Sequence, residues 1–254
     1  MSIVDLLSPV NTVTFLLLFI RIASFLSFIP FFNYTTIPMS VKAAFSLWLT
    51  FLLFPIVPKV SFEINTFSII AAVLNEVVFA FFVGVVLQLV FDILKFVGEQ
   101  ISFVMGFTMA TIVDPNFGSQ TTIVSQFFTW VAILVFFSLG GDHLEIMLLA
   151  KTFSVPFGAF FDFHSFYDYI ISYMYKYFLI GMSLAFPVIA ISLMSDVIFG
   201  MIMKTMPQFN LLVVGFPIKI FLAFLIIFAI LGSMMSVFSQ EMNKIFEFLF
   251  SLIG

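Results

Sequence analysis

Long apolar runs, broken at only a few places by proline, glycine and charge, constrain this chain more than any other feature of its sequence. Hydrophobic residues make up 63% and charged residues 9% of its 254 residues, whereas soluble domains are about a quarter charged. Mean hydropathy is +1.27. An unpaired backbone amide is costly in hydrocarbon, so a chain of this kind pairs its backbone within helices. The sequence therefore predicts an all-α, integral-membrane-type fold.

Six long apolar segments follow one another, and we interpret them as a single helical unit over residues 1–254. Each is close to or above the ~20 residues that a helix needs to cross the hydrocarbon core. Prolines punctuate them, because proline removes a backbone donor and bends or ends a helix. The nine Lys and Arg do not favour alternate loops, which leaves the membrane orientation open. The segments cover residues 13–29, 42–57, 67–94, 123–139, 178–194 and 211–238.

Residues 95–120, KFVGEQISFVMGFTMATIVDPNFGSQ, interrupt two of these segments with charges, glycines and an Asp-Pro step. Irregular backbone at membrane depth survives only where protein covers it or where it lines a water-filled path. Residues 105–120 are therefore interpreted as a loop held inside a helical assembly and facing a passage. An exposed loop between two spans fits the composition equally well.

The side chains of this loop suit a soft seal. Methionine is flexible and polarisable and adapts to surfaces that re-pack, and glycine permits large dihedral changes. Asp can cap the amides of a following helix, in whose first turn Pro is tolerated. No Lys or Arg occurs between residues 98 and 120. The candidate closure residues are Met105, Gly106, Phe107, Met109, Asp114, Pro115, Phe117 and Gly118.

Among the ionisable residues within or beside the apolar segments, four are candidates for burial: Arg21, Glu76, Glu99 and Lys219. A charge at membrane depth costs at least a few kcal/mol, so each is expected to face a counterpart and not lipid. The sequence leaves open whether this chain or a partner subunit supplies those counterparts. Without them, the isolated chain is expected to be poorly stable.

The third apolar segment carries Glu76, Ala80 and Gly84 at steps of four, which stack along one helix face. Small residues on that face allow a second helix to approach closely. Further along the same segment, three charged residues can lie on one helix face. They form either an ion pair with one additional acid, or charges that water solvates at the helix end. These residues are Asp92, Lys95 and Glu99.

Three further stretches carry polar residues. Residues 140–143, GGDH, precede a short amphipathic helix, and His143 beside Asp142 is either a proton relay or an interfacial histidine beside a capping acid. Residues 162–177 have the Tyr- and Phe-rich make-up of a membrane-interface belt. Residues 239–253 predict an amphipathic tail that docks on a neighbouring subunit or the membrane surface.

A hinge is predicted between the last two long segments. Proline and glycine together fix a bend, since one lacks a donor and the other accepts unusual dihedral angles. The predicted hinge comprises a polar connection and the start of the last apolar segment. The connection contains Lys204, Pro207, Gln208 and Asn210, and the segment start contains Gly215 and Pro217.

Several functional classes are disfavoured by what the sequence contains. There is no Cys, and the two His, His143 and His164, lack ligand spacing, so neither a metal site nor a cofactor is expected. The charge of −4 is thinly spread, which argues against nucleic acid. Asp5 and the lack of a basic residue before the first apolar run argue against a cleavable signal peptide. No Ser-His or paired-Asp constellation points to an enzyme.

Motifs along nearly the whole chain resemble the FliR family of type III export-apparatus proteins. Each is weak alone, but their order and spacing match. Three positions depart from the family pattern: Ala80 in place of Gly, Asp142 within a Gly-His-His-like pattern, and Lys204 in place of a fork-shaped Arg. The matching residues are Arg21, Pro30, Pro38, Glu76, Gly84, Gly98, Met105, Gly106, Ala110, Asp114, Pro115, Gly141, His143, Pro156, Gly158, Pro207, Gln208, Phe209, Asn210, Gly215, Phe216, Pro217 and Lys219.

The resemblance implies a non-enzymatic export-gate subunit of the bacterial inner membrane and flagellar basal body. Its expected partners are homologues of FliP, FliQ and FlhB, membrane lipid, and the unfolded flagellar subunits that pass through the channel. It also implies a FliP-like part over residues 1–160, with the loop at 105–120 as the channel plug. A FliQ-like helical hairpin with an amphipathic tail is implied over residues 161–254.

Two other functions remain as alternatives. The first is an injectisome homologue, which would pass a different cargo. The second is an ion-coupled secondary transporter, with Arg21, Glu76 and Glu99 on a substrate or proton path. No two halves of the chain show corresponding broken segments, which counts against the transporter.

Overall fold

A computed structural model describes residues 8–30, 37–107, 122–159, 163–206, 208 and 210–253. Within these ranges the ordered elements are helical and no strand occurs, which confirms the all-α expectation. The elements are α1 (Pro9–Phe28), α2 (Met39–Leu53), α3 (Thr66–Met105), α4 (Ile123–Ser138), α5 (Gly141–Thr152), α6 (Phe163–Thr205), a π turn (Leu211–Gly215) and α7 (Phe216–Ile253).

Four helical stretches in the described ranges are long and apolar enough to cross a membrane. Two of them are α1 and α3, the third is most of α6, and the fourth joins the end of the π turn to α7. The helices α4 and α5 pass the same test together, with a bend of 67° between them. With its 15 residues, α2 is shorter. The expected six long segments are thus corrected to four, one bent pair and one short helix.

Three helices are longer than the apolar segments that predicted them. The helix α3 runs 40 residues to Met105, and α6 runs 43 residues through Pro187 to Thr205. The 38-residue α7 includes the predicted tail. Charged side chains at the end of an apolar run do not interrupt the local backbone hydrogen bonds that propagate a helix. The connection between α6 and the π turn is consequently confined to residues 206–210.

Local signals explain where several helices begin. The Ser8 side chain accepts a hydrogen bond from the Asn11 amide at 3.4 Å, and Pro9 occupies the first turn of α1. The Thr122 side chain caps α4 in the same way through the Ser125 amide. Gly140 has φ +70, a left-handed conformation that suits glycine and makes the bend between α4 and α5.

The chain divides into two compact units that interleave along the sequence, so each unit draws on both sides of residue 160. The first comprises Met1–Gln88, Gly140–Ile171 and Met242–Gly254. Its core includes Leu17, Leu18 and Ile22 of α1, all fully buried. A Cβ added at Gly84 would lie 2.5 Å from the Phe28 carbonyl oxygen, so α3 and α1 approach closely there. Since Glu76 and Ala80 are also buried, the predicted contact face of α3 is confirmed.

The second unit comprises Leu89–Leu139 and Ser172–Glu241. A Cβ added at Gly98 would lie 2.4 Å from the Ser125 Cα, which fixes a close contact between α3 and α4. The Phe91 ring lies 5.5 Å from the rings of both Phe136 and Phe238, at the inclined geometry that aromatic pairs prefer. This unit therefore has its own aromatic core.

The C-terminal tail is covered by the chain itself. The apolar stripe of residues 242–253 is buried within the first unit, and Lys151 of α5 donates a 3.0 Å hydrogen bond to the Phe250 carbonyl. The expectation that the tail docks on a neighbouring subunit or a membrane surface is therefore corrected. The buried stripe consists of Met242, Ile245, Phe246, Leu249 and Ile253.

Two helices of the first unit turn apolar side chains outward. In α2 the buried residues are Ser46 and Thr50, whereas Trp48 and Phe51 are exposed. In α5, Leu148 and Leu149 are buried as an amphipathic helix requires, but the acid Glu145 is buried with them. The expected pattern fails at Ile146 and Met147, which are exposed. Exposed apolar surface of this extent marks a face that lipid or another subunit covers.

Candidate functional site

Arg21 and Glu76 form a buried ion pair between α1 and α3. The Arg21 Nε lies 2.6 Å from Glu76 Oε2, and the Arg21 Nη2 lies 2.7 Å from Glu76 Oε1. The two side chains are 3% and 2% exposed. Two parallel charge-assisted hydrogen bonds of this kind fix the orientation of both groups.

The chain that follows α5 satisfies the remaining polar atoms of this pair. The Arg21 Nη1 donates to the carbonyls of Thr152 at 2.6 Å and Val155 at 3.0 Å. These carbonyls belong to the helix end and the turn after it, where a cation is favoured. The Gly158 amide donates to Glu76 Oε1 at 3.1 Å.

Two further contacts complete the arrangement, which we call the Arg21 node: Arg21, Glu76 and the turn at residues 152–158. The Phe157 ring lies 4.5 Å from the Arg21 Cζ, within cation–π range. Gly158 has φ +72, and an added Cβ would lie 2.9 Å from the Ala72 Cβ, so only glycine fits. The node thus joins α1, α3 and the end of α5.

Arg21 and Glu76 are counterparts of each other, although they lie 55 positions apart in sequence. The chain itself supplies them, so these two side chains give no reason for the isolated chain to be unstable. Removing one member of a buried pair costs about 3–5 kcal/mol. The node also brings together residues from three separate matching motifs, namely Arg21, Glu76 and the Pro156–Gly158 turn.

Lys219, a buried cation like Arg21, pairs within the second unit. Its Nζ lies 2.7 and 2.8 Å from the two carboxylate oxygens of Asp196 in α6. The Lys219 side chain is 8% exposed, whereas that of Asp196 is 51% exposed. A second pair joins Lys176 to the buried Glu241 at 2.6 Å. The two pairs advance in opposite directions along α6 and α7, so these helices run antiparallel.

Neither Asp196 nor Glu241 stands out in the sequence as an ion-pair partner. A carboxylate near the end of an apolar run is usually solvated, so its position alone does not reveal a buried cation opposite. The sequence does contain one indication: because the last two helices carry few cations, each acid on them has few possible partners. Glu99, which was predicted to be a buried ionisable residue, is half-buried on α3.

The described part of the central loop begins as predicted. The helix α3 ends at Met105, which is fully buried, and Gly106 follows with φ +85. A Cβ added at Gly106 would lie 2.9 Å from the Phe216 ring, so glycine is required both by conformation and by space. Phe107 is half-buried. The other predicted closure residues, Met109, Asp114, Pro115, Phe117 and Gly118, lie outside the described residues.

The two ends of the loop are fastened to each other. The Ser102 hydroxyl donates to the Thr122 hydroxyl oxygen at 2.8 Å, and the Ser125 hydroxyl donates to the Lys95 carbonyl at 3.1 Å. We call the first of these contacts the loop clasp. It fixes the base from which residues 106–121 leave the helices and to which they return.

The predicted hinge contains a π turn before α7. The Asn210 side chain accepts a hydrogen bond from the Val213 amide at 3.3 Å and so caps this turn. A Cβ at Gly215 would lie 2.5 Å from the Leu211 side chain. Pro217 is the second residue of α7. Because proline has no backbone N–H, the transition from the π turn to the α-helix lacks one backbone hydrogen bond. Lys204, Gln208 and Asn210 are exposed, and Pro207 lies outside the described residues.

The histidines lie on the surface. The His143 Nδ1 lies 3.0 Å from Asp142 Oδ1 at the start of α5, and the His143 side chain is 83% exposed. His164 lies 3.5 Å from Asp168 and is equally exposed. Within the described ranges, no three His, Cys, Asp or Glu side chains are placed to hold a metal ion.

Residues 12–245 match the family model of bacterial export proteins, family 1. Flagellar biosynthetic protein FliR of Aquifex aeolicus is 30% identical over 241 residues, which cover 93% of each chain. The protein of the same name from Bacillus subtilis is 28% identical over 100% of this chain and 98% of its own. That from Escherichia coli is 23% identical over 92% of this chain and 89% of its own. These matches span the Arg21 node and both ion pairs of the second unit, and the chain belongs to the bacterial export proteins, family 1.

Proposed function

We propose that the chain is a core component of the export gate of the flagellar type III secretion apparatus. It resides in the bacterial inner membrane at the flagellar basal body and forms part of the channel that passes unfolded flagellar subunits. The observation that carries this proposal is the end-to-end match to proteins named FliR. Those names are flagellar, which favours flagellar over injectisome cargo.

The loop after α3 suits the closure element of such a channel. An unfolded polypeptide presents every type of side chain, so its passage must be adaptable and free of fixed charge. Met105 and Phe107 begin the loop with apolar side chains, and Gly106 adopts a conformation that few other residues accept. The loop clasp holds the base while the loop itself carries no basic residue. A plug of this make-up seals without selecting cargo.

Bare apolar faces support assembly with other helical subunits. In the most apolar stretches of α6 and α7, only 28% and 22% of the residues are buried within the chain. Lipid and the neighbouring FliP, FliQ and FlhB homologues would cover the remainder. The antiparallel α6 and α7 agree with a FliQ-like hairpin over residues 161–254, beside a FliP-like part over residues 1–160.

The transporter alternative finds less support. A residue that carries an ion or substrate must exchange partners, but Arg21 and Glu76 are held by two mutual hydrogen bonds and by three backbone groups. Opening that arrangement would leave buried charges unpaired at a cost of several kcal/mol. The node is therefore a fixed joint, and a non-enzymatic structural role fits it best.

Deleting the gene and restoring it in trans tests the proposal. We expect the deletion strain to lose swimming motility and secretion of flagellar subunits into the medium, and the wild-type chain to restore both. The tagged chain should also recover FliP and FliQ homologues from solubilised membranes. A deletion strain that still swims and secretes would overturn the proposal. Accumulation of a small solute, with secretion intact, would favour the transporter.

A further inference from the structure

Two adjoining cavities form an apolar groove along α2 in the first unit. The larger, of about 250 Å³, lies among α1, α2 and α5. The smaller, of about 210 Å³, lies between α1 and the start of α2. Leu26 and Phe45 line both, so the two cavities meet at these side chains. We call the two together the α2 groove.

The accessible wall of the α2 groove is apolar. Glu145 is among the residues of the larger cavity, but both of its carboxylate oxygens are closed off from the space. The groove opens at the surface of the unit, since Phe45 and Ile146 are 40% and 63% exposed. An occupant that enters from the surface therefore meets apolar side chains and no group that could pair a charge inside the groove.

The groove has the length of one lipid acyl chain. Its α2 wall runs from Lys42 through Phe45 and Leu49 to Leu53, at the steps of three and four that share a helix face. At 1.5 Å per residue these positions span ~16 Å, and one leaflet occupies about half of the ~30 Å hydrocarbon core. A partner helix is about 10–12 Å across with its side chains, too wide for cavities of this volume. Extended backbone would bring polar groups that the wall cannot pair.

A charged side chain lies at one end of the groove. Lys42 lines the smaller cavity and is half-buried. Its backbone carbonyl accepts a hydrogen bond from Ser46, but within the described ranges no ion pair or hydrogen bond engages its ammonium group. A lysine in such a place lays its alkyl stem on apolar surface and holds its charged end at the polar boundary. The groove thus offers a cation at one end of an apolar wall, which complements a phosphate attached to a hydrocarbon chain.

We propose that the α2 groove binds one anionic phospholipid of the surrounding membrane. The phosphate pairs with Lys42, and one acyl chain lies along α2 toward Leu53 and the end of α5. A headgroup of net negative charge is favoured, because no described acid that lines the groove is accessible to pair a headgroup amine. The lipid fills space that α1, α2 and α5 leave open. This inference goes beyond the export gate and requires only that a membrane surround the chain.

Native mass spectrometry of the purified full-length chain tests the headgroup. Phosphatidylglycerol and phosphatidylcholine with identical acyl chains are titrated separately, and the lipids retained by each chain are counted. The wild type should retain one phosphatidylglycerol about fivefold more tightly than phosphatidylcholine, the effect of one lysine near an anionic lipid. Lys42→Gln should abolish that preference. Lys59→Gln, an exposed position of the same unit that lines neither cavity, is the matched control. Equal retention of the two lipids by wild type, or a preference that survives in Lys42→Gln, would overturn the inference.

Filling the groove tests the acyl chain. Leu49→Trp places a larger side chain in the wall and should lower retention of both lipids by about fivefold or more. Leu47→Trp, at an exposed position of α2 that lines neither cavity, is the matched control and should leave retention unchanged. Retention that Leu49→Trp leaves at the wild-type level would overturn the inference.

A photoreactive lipid locates the site in the wild-type chain, independently of how the variants fold. Phosphatidylglycerol with a photoactivatable group at the end of one acyl chain should label residues 145–153 of α5 and the end of α2. Excess unmodified phosphatidylglycerol should suppress that labelling, whereas phosphatidylcholine should suppress it less. Labelling spread evenly over the exposed apolar helices would show lipid contact without a site and would overturn the inference, while leaving the export-gate proposal intact.

Discussion

At the scale of single residues, the buried ion pairs of the described residues join side chains across helices and not along one helix. Arg21 meets Glu76 across 55 positions, and Lys219 meets Asp196 across 23. The hydrophobic surroundings predict, from the sequence alone, that such residues need counterparts. Which acid meets which base depends on how the helices pack, because several carboxylates occupy similar positions near apolar runs.

A double-mutant cycle tests the Arg21 node. Either Arg21→Ala or Glu76→Ala should destabilise the chain by about 3–5 kcal/mol, since each leaves one buried charge unpaired. The double variant should cost clearly less than the sum of the two, because it leaves neither charge behind. Thermal unfolding of the purified chain measures all three, with Lys204→Ala at an exposed position as control. Additive losses would contradict the pairing.

The Lys219 pair should respond unequally to loss of its two members. Asp196→Asn leaves the buried Lys219 ammonium with a weaker acceptor, which we expect to cost about 1–3 kcal/mol. Lys219→Met replaces the cation with an apolar side chain of similar length and leaves Asp196, 51% exposed, to water. That change should cost less than about 0.5 kcal/mol. Equal losses in thermal unfolding would mean that the lysine is solvated in the protein.

At the scale of helices, the sequence predicts where helices lie better than where they end. The start of α4 and the end of α3 at Met105 follow from Thr122 and Gly106, whose local chemistry is readable. The extension of α3 past residue 94 and of α6 past residue 194 is not, because charge marks the end of an apolar run and not the end of a helix. The burial of Glu145 in α5 was also missed, since a Glu beside Ile and Met predicts an exposed carboxylate.

The C-terminal part of α7 should behave as core. Leu249 is fully buried in the first unit, so Leu249→Ala should destabilise the isolated chain by about 2–5 kcal/mol. Asn243→Ala, on the exposed side of the same helix, should change stability by less than about 0.5 kcal/mol. Thermal unfolding without partner subunits distinguishes the two explanations of the buried stripe. An isolated Leu249→Ala chain as stable as wild type would mean that a partner, and not this chain, covers the tail.

The π turn before α7 should set the direction of that helix. Pro217→Ala returns a backbone donor to the π-to-α transition and so favours a straight α-helical start. We expect a lower yield of the assembled complex and reduced swimming in this variant. Ala substitution of Phe221, which is exposed one turn further along α7, serves as the control for side-chain loss. Unchanged yield and unchanged motility in Pro217→Ala would count against the hinge.

At the scale of the whole molecule, two compact units are assembled from alternating stretches of one chain. The sequence carries the composition, the apolar segments and the motif order, and these suffice for the fold class and the family. It does not show which distant stretches share a core, because hydrophobic patterning fixes a face of each helix but not the helix that covers it. The burial of Glu145 was missed for the same reason, because the sequence does not show which helices surround it.

The central loop is the element whose removal should alter the whole assembly. Deleting residues 107–111 removes apolar side chains of the proposed seal, and Ser102→Ala breaks the loop clasp while leaving the loop sequence intact. Both should raise the passive leak of ions or small solutes and change cargo selectivity little, because the loop has no basic residue with which to recognise a substrate. Asp114 lies outside the described residues, and the sequence predicts that it caps the amides that follow it. Asp114→Ala should therefore loosen the loop by about 1 kcal/mol and also leak.

Membrane conductance and solute uptake in cells that make each loop variant with its partner subunits measure this effect. Complex recovery equal to that of wild type must accompany the measurement, so that leak reports the seal and not a failure to assemble. A graded result is expected, with the deletion leaking more than Ser102→Ala, since one removes sealing side chains and the other only loosens the base that holds them. A deletion variant that assembles normally and stays as tight as wild type would place the seal in another part of the assembly.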